Sequence, residues 1–358
     1  MHHGKFGMNK EFWKDKKVFI TGHTGFKGSW LSIWLTESGA NVTGYSLPPS
    51  TTPSMFKSLM LEEKVNTIFG DIRDYENLKQ QIILSEPDIV IHMAAQALVL
   101  ESYENPMETY QINLMGTVNI LNAIRNISSI KAFINVTSDK CYENKEAITN
   151  FKEEDRMGGF DPYSSSKACS ELITAAYRSS FLSESVSVAT VRAGNVIGGG
   201  DWAKNRIIPD FIKRIDQNKK LSIRNPKAVR PWQLVLEPLN GYLMLAEKLF
   251  LEGIDYAESW NFGPDNQAEK SVEWLISRFD KEYGGGNNFE ISAAESSPHE
   301  AQNLRLDCSK SMQRLNWSPK LNIEKSISMT CAWYKNFYKD NQDMYSFSVE
   351  QIKQYELI

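Results

Sequence analysis

Apolar runs of the length of buried strands recur along the chain up to about residue 201, and stretches with apolar positions at helical spacing separate them. The first run, Val18-Phe19-Ile20-Thr21, passes into Gly22, Gly25 and Gly28 and then into an apolar stripe at Trp30, Ile33 and Trp34, which reads as strand, tight turn and helix. Further strands are expected at 41–45, 65–69, 88–93, 132–136 and 186–191. Between them, Met107, Tyr110, Leu114, Val118 and Leu121 predict a helix over 106–125, and a polar loop over 143–159 leads into a helix from Asp161 to about residue 180. This alternation predicts an α/β chain built on a doubly wound parallel sheet. Beyond about Asp201 the alternation breaks down. Helical stretches at 209–215 and 238–250 alternate with loops rich in Pro, Gly and Asn. The expected division is a dinucleotide-binding unit over 8–200 that carries the chemistry, and a smaller substrate-binding lobe over 201–358, with a boundary the chain is free to recross.

Composition narrows the classes. An apolar fraction of 41% and a charged fraction of 23% are those of a globular chain with a real core, and 358 residues suffice for one large domain or two ordinary ones. The formal charge of -4 and the lack of a basic stripe with interleaved aromatics argue against a nucleic-acid partner. No apolar run approaches the roughly 18 to 20 residues of a membrane span, and no signal-peptide pattern opens the chain, so a cytoplasmic protein with no membrane partner is expected. Cys141, Cys169, Cys308 and Cys331 lack C-x-x-C spacing and read as free thiols, with no metal site expected. Residues 1–7, with His2 and His3, look like an expression scar ahead of a start at Met8.

The candidate chemistry gathers where strands end. In the glycine loop, Gly22 permits the turn, Gly25 lets a pyrophosphate approach the backbone, and Gly28 lets helix pack on strand, with the helix N-terminus facing the phosphates. The end of the second strand carries Ser46 where an acid would favour NAD, which leaves NAD and NADP open at that position. Asp71-Ile72 reads equally as an adenine contact or as a turn. His92, inside an apolar run, reads as a core histidine. Thr137-Ser138-Asp139-Lys140-Cys141-Tyr142 follows the fifth strand, and Tyr163 and Lys167, four apart, share one helical face. A cation close to a phenol favours the phenolate and so suits a general base. Arg206 and Arg230 are candidate clamps for a diphosphate, and Asn195 could bind sugar or diphosphate.

In combination, the glycine loop, Asp71-Ile72, Ala94-Ala95-Gln96, Asn113 and the Tyr163 to Lys167 pair resemble the extended short-chain dehydrogenase/reductase family. Within it the chain is most similar to the CDP-glucose 4,6-dehydratases, through the stretches from Gly22 to Trp30, Thr137 to Tyr142, Arg192 to Trp202 and Arg230-Pro231-Trp232-Gln233. The resemblance covers residues 13–317. It implies a Rossmann-type sheet with a C-terminal substrate lobe, NAD as cofactor, a nucleotide sugar as substrate, and a homo-oligomer, dimer or tetramer, paired through the helices at 106–125 and 161–180. It also implies roles: Ser138, Asp139, Lys140, Tyr163 and Lys167 in catalysis; Gly22, Thr24, Gly25, Phe26, Lys27, Gly28, Asp71, Ile72, Ala94, Ala95, Gln96 and Asn113, with Tyr163 and Lys167, around the cofactor; Asn195, Arg206, Arg230 and His299 around the substrate. The implied reaction oxidises carbon 4, expels water across carbons 5 and 6, and returns hydride to carbon 6. Asp139 would then serve as acid to the 6-hydroxyl, with Lys140 where relatives place the base. Two rivals are a nucleotide-sugar 4-epimerase, which needs no acid for water loss, and a non-catalytic dinucleotide-binding protein on the same fold.

Overall fold

The structure, a computed structural model, describes residues 8–144, 150–223, 225–292, 304–340 and 343–358; residues 1–7 and His299 lie outside the described residues. Seven strands form one parallel sheet: β1 Lys17–Thr21, β2 Asn41–Ser46, β3 Asn66–Phe69, β4 Ile89–His92, β5 Ala132–Val136, β6 Ser187–Arg192 and β7 Ser259–Asn261. Their order across the sheet is β7-β6-β5-β4-β1-β2-β3. Val18 of β1 stands opposite both Val42 of β2 and Ile89 of β4, so the winding reverses beside β1. In sheets of this kind the crevice at the carboxyl ends of the strands beside such a reversal is where ligands bind.

Helices α1 Phe26–Glu37, α2 Tyr75–Ser85, α3 Gly116–Ile124, α4 Pro162–Tyr177, α5 Leu236–Glu252, α6 Ile323–Lys335 and α7 Met344–Glu356 include those that cover the sheet. Side chains alternate across a strand, and β1 shows the result. Val18 and Ile20 join a core with Trp30, Trp34, Leu239 and Tyr334, while Phe19 joins a second core with Leu78, Ile120 and Val188. β4 and β5, buried along their whole length, are the continuous apolar runs of a central parallel strand. α3 is the end of a longer helical run that opens at Pro106–Tyr110 and passes through a π turn at Gln111–Met115.

After β6 the chain leaves the sheet to form a smaller lobe. Val229–Pro231 pairs antiparallel with Glu269–Ser271, and Leu221–Ile223 pairs parallel with Phe289–Ile291. The chain also recrosses. β7 pairs with β6, Trp260 opposite Val191, and α5 packs in the same core as α1. The C-terminal helices return to the sheet as well. Trp34 Nε1 donates to Glu356 Oε1 at 2.9 Å, and the Tyr355 hydroxyl donates to Glu237 Oε2 at 2.8 Å. Among the described residues no helix is long and apolar enough to cross a membrane. All four cysteines are free, and Cys141, Cys308 and Cys331 are buried.

Candidate active site

A cleft of about 890 Å³ runs along the carboxyl edge of the sheet, between the glycine loop and the smaller lobe. Gly22 ends β1 at φ 78°, and a Cβ on it would lie 2.7 Å from the Ala94 nitrogen. A Cβ on Gly28 would lie 2.2 Å from the Gly22 carbonyl oxygen. Helix, turn and the loop after β4 can therefore close on one another only without side chains at these two positions. Gly25 is exposed and caps α1 with no side-chain hydrogen bond, which leaves the first-turn N–H groups and the positive end of the helix facing the cleft. Such an arrangement suits an anionic ligand. Thr24 Oγ1 is taken up by Ser46 Oγ at 2.8 Å and the Leu47 carbonyl at 2.9 Å, tying the loop to the end of β2.

Asp71 lines the same cleft, but its carboxylate already accepts from Arg73: the backbone N at 2.8 Å, Nε at 3.0 Å and Nη2 at 2.6 Å. Those bonds hold it below the usual carboxylate range. Ile72 is buried against Gly116, where a Cβ would approach its Cγ2 to 2.8 Å. Ala94, Ala95 and Gln96 border the cleft. Asn113, in the π turn, is 2% exposed. Its Oδ1 accepts from Gln96 N at 2.8 Å, and its Nδ2 donates to the Gln96 carbonyl and to Ser166 Oγ. The structure thus places Asn113 behind the loop, pinning it to α4. His92 is a core residue as expected, hydrogen-bonded with Thr21 Oγ1 at 2.7 Å and held down to about 3 chiefly by burial.

Asp161 caps α4 through Ser164 N at 2.9 Å, and Pro162 occupies the first turn. From that start Tyr163, Lys167 and Glu171 fall four apart on the buried face of one helix. Lys167 Nζ donates to the Val136 carbonyl at 3.1 Å at the end of β5, and burial lowers its pKa to about 8. Burial pushes the Tyr163 phenol up to about 12, and interaction with Ser138 partly offsets this. The Arg206 charge also acts to lower the phenol, and the Lys167 ammonium is engaged by the Val136 carbonyl. Ser138, Asp139 and Lys140 follow β5 through a short 3₁₀ turn, and all three border the cleft. Ser138 Oγ donates to Asp139 Oδ1 at 3.0 Å and accepts from Lys140 N at 3.2 Å. Asp139 is 3% exposed, and a Cβ on Gly194 would fall 1.7 Å from its Oδ2. Lys27 faces the same space, lowered to about 8 by burial, then by Arg206 and Lys167, against the pull of Asp139.

The opposite wall comes from the segment after β6 and the smaller lobe. Asn195 borders the cleft at φ 41°, a left-handed conformation that asparagine tolerates. Arg206 Nη1 pairs with Asp201 Oδ2 at 2.9 Å, and Arg230 stands on the antiparallel strand pair. Both border the cleft. Sequence reasoning missed Glu171, which accepts from Thr137, Thr190 and Arg192 and forms with Arg192 an ion pair at 2.8 Å, each side chain 3% exposed. It binds α4 to β5 and β6. Its spacing of four from Lys167 was the available signal.

A profile of the GDP-mannose 4,6 dehydratase family matches residues 19–330. The chain is 46% identical to a CDP-glucose 4,6-dehydratase of Salmonella typhimurium over 97% of this chain and 98% of that protein. Two solved structures share the fold. A dTDP-glucose 4,6-dehydratase from Streptomyces venezuelae with NAD bound has a TM-score of 0.76 at 19% identity, covering 91% of this chain and 99% of that one. A UDP-glucose 4-epimerase from Thermotoga maritima has a TM-score of 0.78 at 20% identity, covering 90% of this chain and 99% of that one. The Rossmann-type sheet expected from the strand pattern is thus present, and the chain belongs to the GDP-mannose 4,6 dehydratase family.

Proposed function

We propose that this chain is an NAD-dependent CDP-glucose 4,6-dehydratase, a hydro-lyase that yields CDP-4-keto-6-deoxyglucose. The observation that carries the reading is the meeting of Tyr163, Lys167 and Asp139 in one cleft with the glycine cradle, in a chain 46% identical to a dehydratase of that name. The cradle at Gly22, Gly25 and Gly28 would hold NAD, which would supply a reversible hydride acceptor for carbon 4 and donor for carbon 6 of the sugar. Residues 8–200 supply the cradle and the reacting side chains, and 201–358 chiefly hold the nucleotide sugar.

Tyr163 takes the proton of the 4-hydroxyl, and Lys167 orients the nicotinamide ribose and favours phenolate. Once carbon 4 is a ketone the proton on carbon 5 is acidic. Lys140 removes it while Asp139 protonates the departing 6-hydroxyl. The placement of Asp139, buried yet bordering the cleft, favours this chemistry over 4-epimerisation, which expels no water. Arg206 and Arg230 suit a diphosphate, and Asn195 the sugar beside it. The chain works as a homo-oligomer, because Met107 and Leu172 stand 75% and 59% exposed on the two helical segments beside the site. Four free thiols suit the cytoplasm. Incubating the purified protein with NAD and CDP-glucose, and following the sugar by NMR, tests the reading. A 4-keto-6-deoxy sugar is expected; a 4-epimer, or unchanged CDP-glucose, would overturn it.

A further inference from the structure

A second, much smaller cavity shares Asp139 and Gly194 with the main cleft. Its volume is about 10 Å³, room for about one water where polar partners are at hand. Gln233, Gly263, Glu269 and Arg305 are part of its wall. Gln233 is 2% exposed, and its Nε2 donates at 3.1 Å to the carbonyls of Gly194 and Phe262. Its Oε1 is buried and has no hydrogen-bond partner among the described residues. A residue that lines a water-sized space and carries a buried amide oxygen without a partner is the usual setting for an internal water. The Asp139 carboxylate lies against the same wall, since a Cβ on Gly194 would fall 1.7 Å from Oδ2. Arg305, paired with Glu269 in the chamber wall, has a side chain 31% exposed.

We propose that this chamber holds a water between Gln233 Oε1 and the Asp139 carboxylate, and that this water returns a proton to Asp139 in every turnover. The proposal rests on the dehydratase reading and follows from its proton count. Tyr163 gains the proton of the 4-hydroxyl. Asp139 gives one up as the C6–O bond breaks and water leaves, and the proton taken from carbon 5 is replaced as hydride adds at carbon 6. Each cycle therefore leaves Tyr163 one proton richer and Asp139 one poorer. The chamber water protonates Asp139 and regains a proton from solvent, while Tyr163 releases its own, so no proton is consumed overall. Gln233 is then a positioning residue: one end of its amide fixes the Gly194 backbone against the carboxylate and the other holds the water.

Two variants separate this role from a structural one. Gln233→Met removes the amide. Gly263→Ala alters the chamber from another wall, and its Cβ would meet Leu306 Cβ at 3.4 Å and Cys308 Sγ at 3.5 Å, ordinary contacts that leave the fold intact. The dehydratase reading requires a proton on Asp139 at the start of the cycle, so the first product formed when NAD-loaded enzyme is mixed rapidly with CDP-glucose needs no returned proton. Both variants should give a burst of one product per active site at a rate within about twofold of wild type, then a steady state at least about tenfold slower. The wild type should show no such break. Equal slowing of the first and later turnovers would reduce Gln233 to a structural residue, and an unchanged steady state would assign the returning proton to another route, such as Ser138. Either result overturns the proposal. A wild-type enzyme that makes no keto sugar would instead overturn the dehydratase reading on which it stands.

Discussion

The Lys167 ammonium donates to the Val136 carbonyl at 3.1 Å, so the helix that carries the phenol is pinned through its lysine to the end of β5. Without cofactor, burial dominates Tyr163 and pushes it up to about 12. A nicotinamide held beside Tyr163 would bring positive charge to the phenol, favour the phenolate and move its titration to lower pH. Phenolate absorbance of wild type minus that of Tyr163→Phe, titrated with and without saturating NAD, reads this directly. A downward shift is expected with NAD and a smaller one in Lys167→Met; a curve that NAD leaves unmoved would contradict it.

His92 makes the fold acid-sensitive. Its pKa is held down from 6.5 to about 3, mainly by burial, so the folded chain keeps the ring neutral while the unfolded chain protonates it. The contribution is fully present above about pH 6.5 and is lost as pH falls towards 3. At 1.36 kcal/mol per unit, wild type should lose roughly 2 kcal/mol more than His92→Gln between about pH 6.5 and pH 5. Urea denaturation at the two pH values measures this. Equal losses in the two proteins would show that His92 is not the group responsible.

The sheet was largely legible because its inner strands are buried on both faces and so read as unbroken apolar runs. β7 was not. Ser259, Trp260 and Asn261 make a strand only by pairing with β6, and three residues carry no periodicity. The C-terminal helices were equally opaque, since their place depends on distant partners. Trp333 packs where Gly199 has no side chain, with a hypothetical Cβ only 1.9 Å from its Cγ, and the Tyr334 hydroxyl donates to the Asp201 carbonyl at 2.5 Å. At the site, spacing indicated which residues meet, but not how each is engaged. The amide of Asn113, for instance, joins the Gln96 backbone to Ser166, a pairing that a residue spacing does not encode.

The exposed apolar side chains on the helices beside the site give an oligomer prediction. Met107→Glu and Leu172→Glu together place charges on the face proposed to pair copies of the chain, with little effect on the core because both positions are exposed. Light scattering should show the wild type as a dimer or tetramer and the double variant as a monomer. A monomeric wild type at micromolar concentration would remove the idea, and an unaltered assembly in the variant would move the interface elsewhere.

The central claim is that Tyr163 and Asp139 act in separate steps of one dehydration. Loss of a general base typically costs ~10²- to 10⁴-fold, and Tyr163→Phe removes the base for oxidation at carbon 4 while keeping the ring. Asp139→Asn keeps the shape but cannot donate a carboxylic proton to the 6-hydroxyl, so it stalls after oxidation. The decisive measurement is a single turnover of each variant with NAD and CDP-glucose, followed by the absorbance of enzyme-bound NADH. The account predicts that this absorbance accumulates in Asp139→Asn and not in Tyr163→Phe; equal loss of the signal in both would show that Asp139 serves binding or oxidation, and would contradict its role in the loss of water.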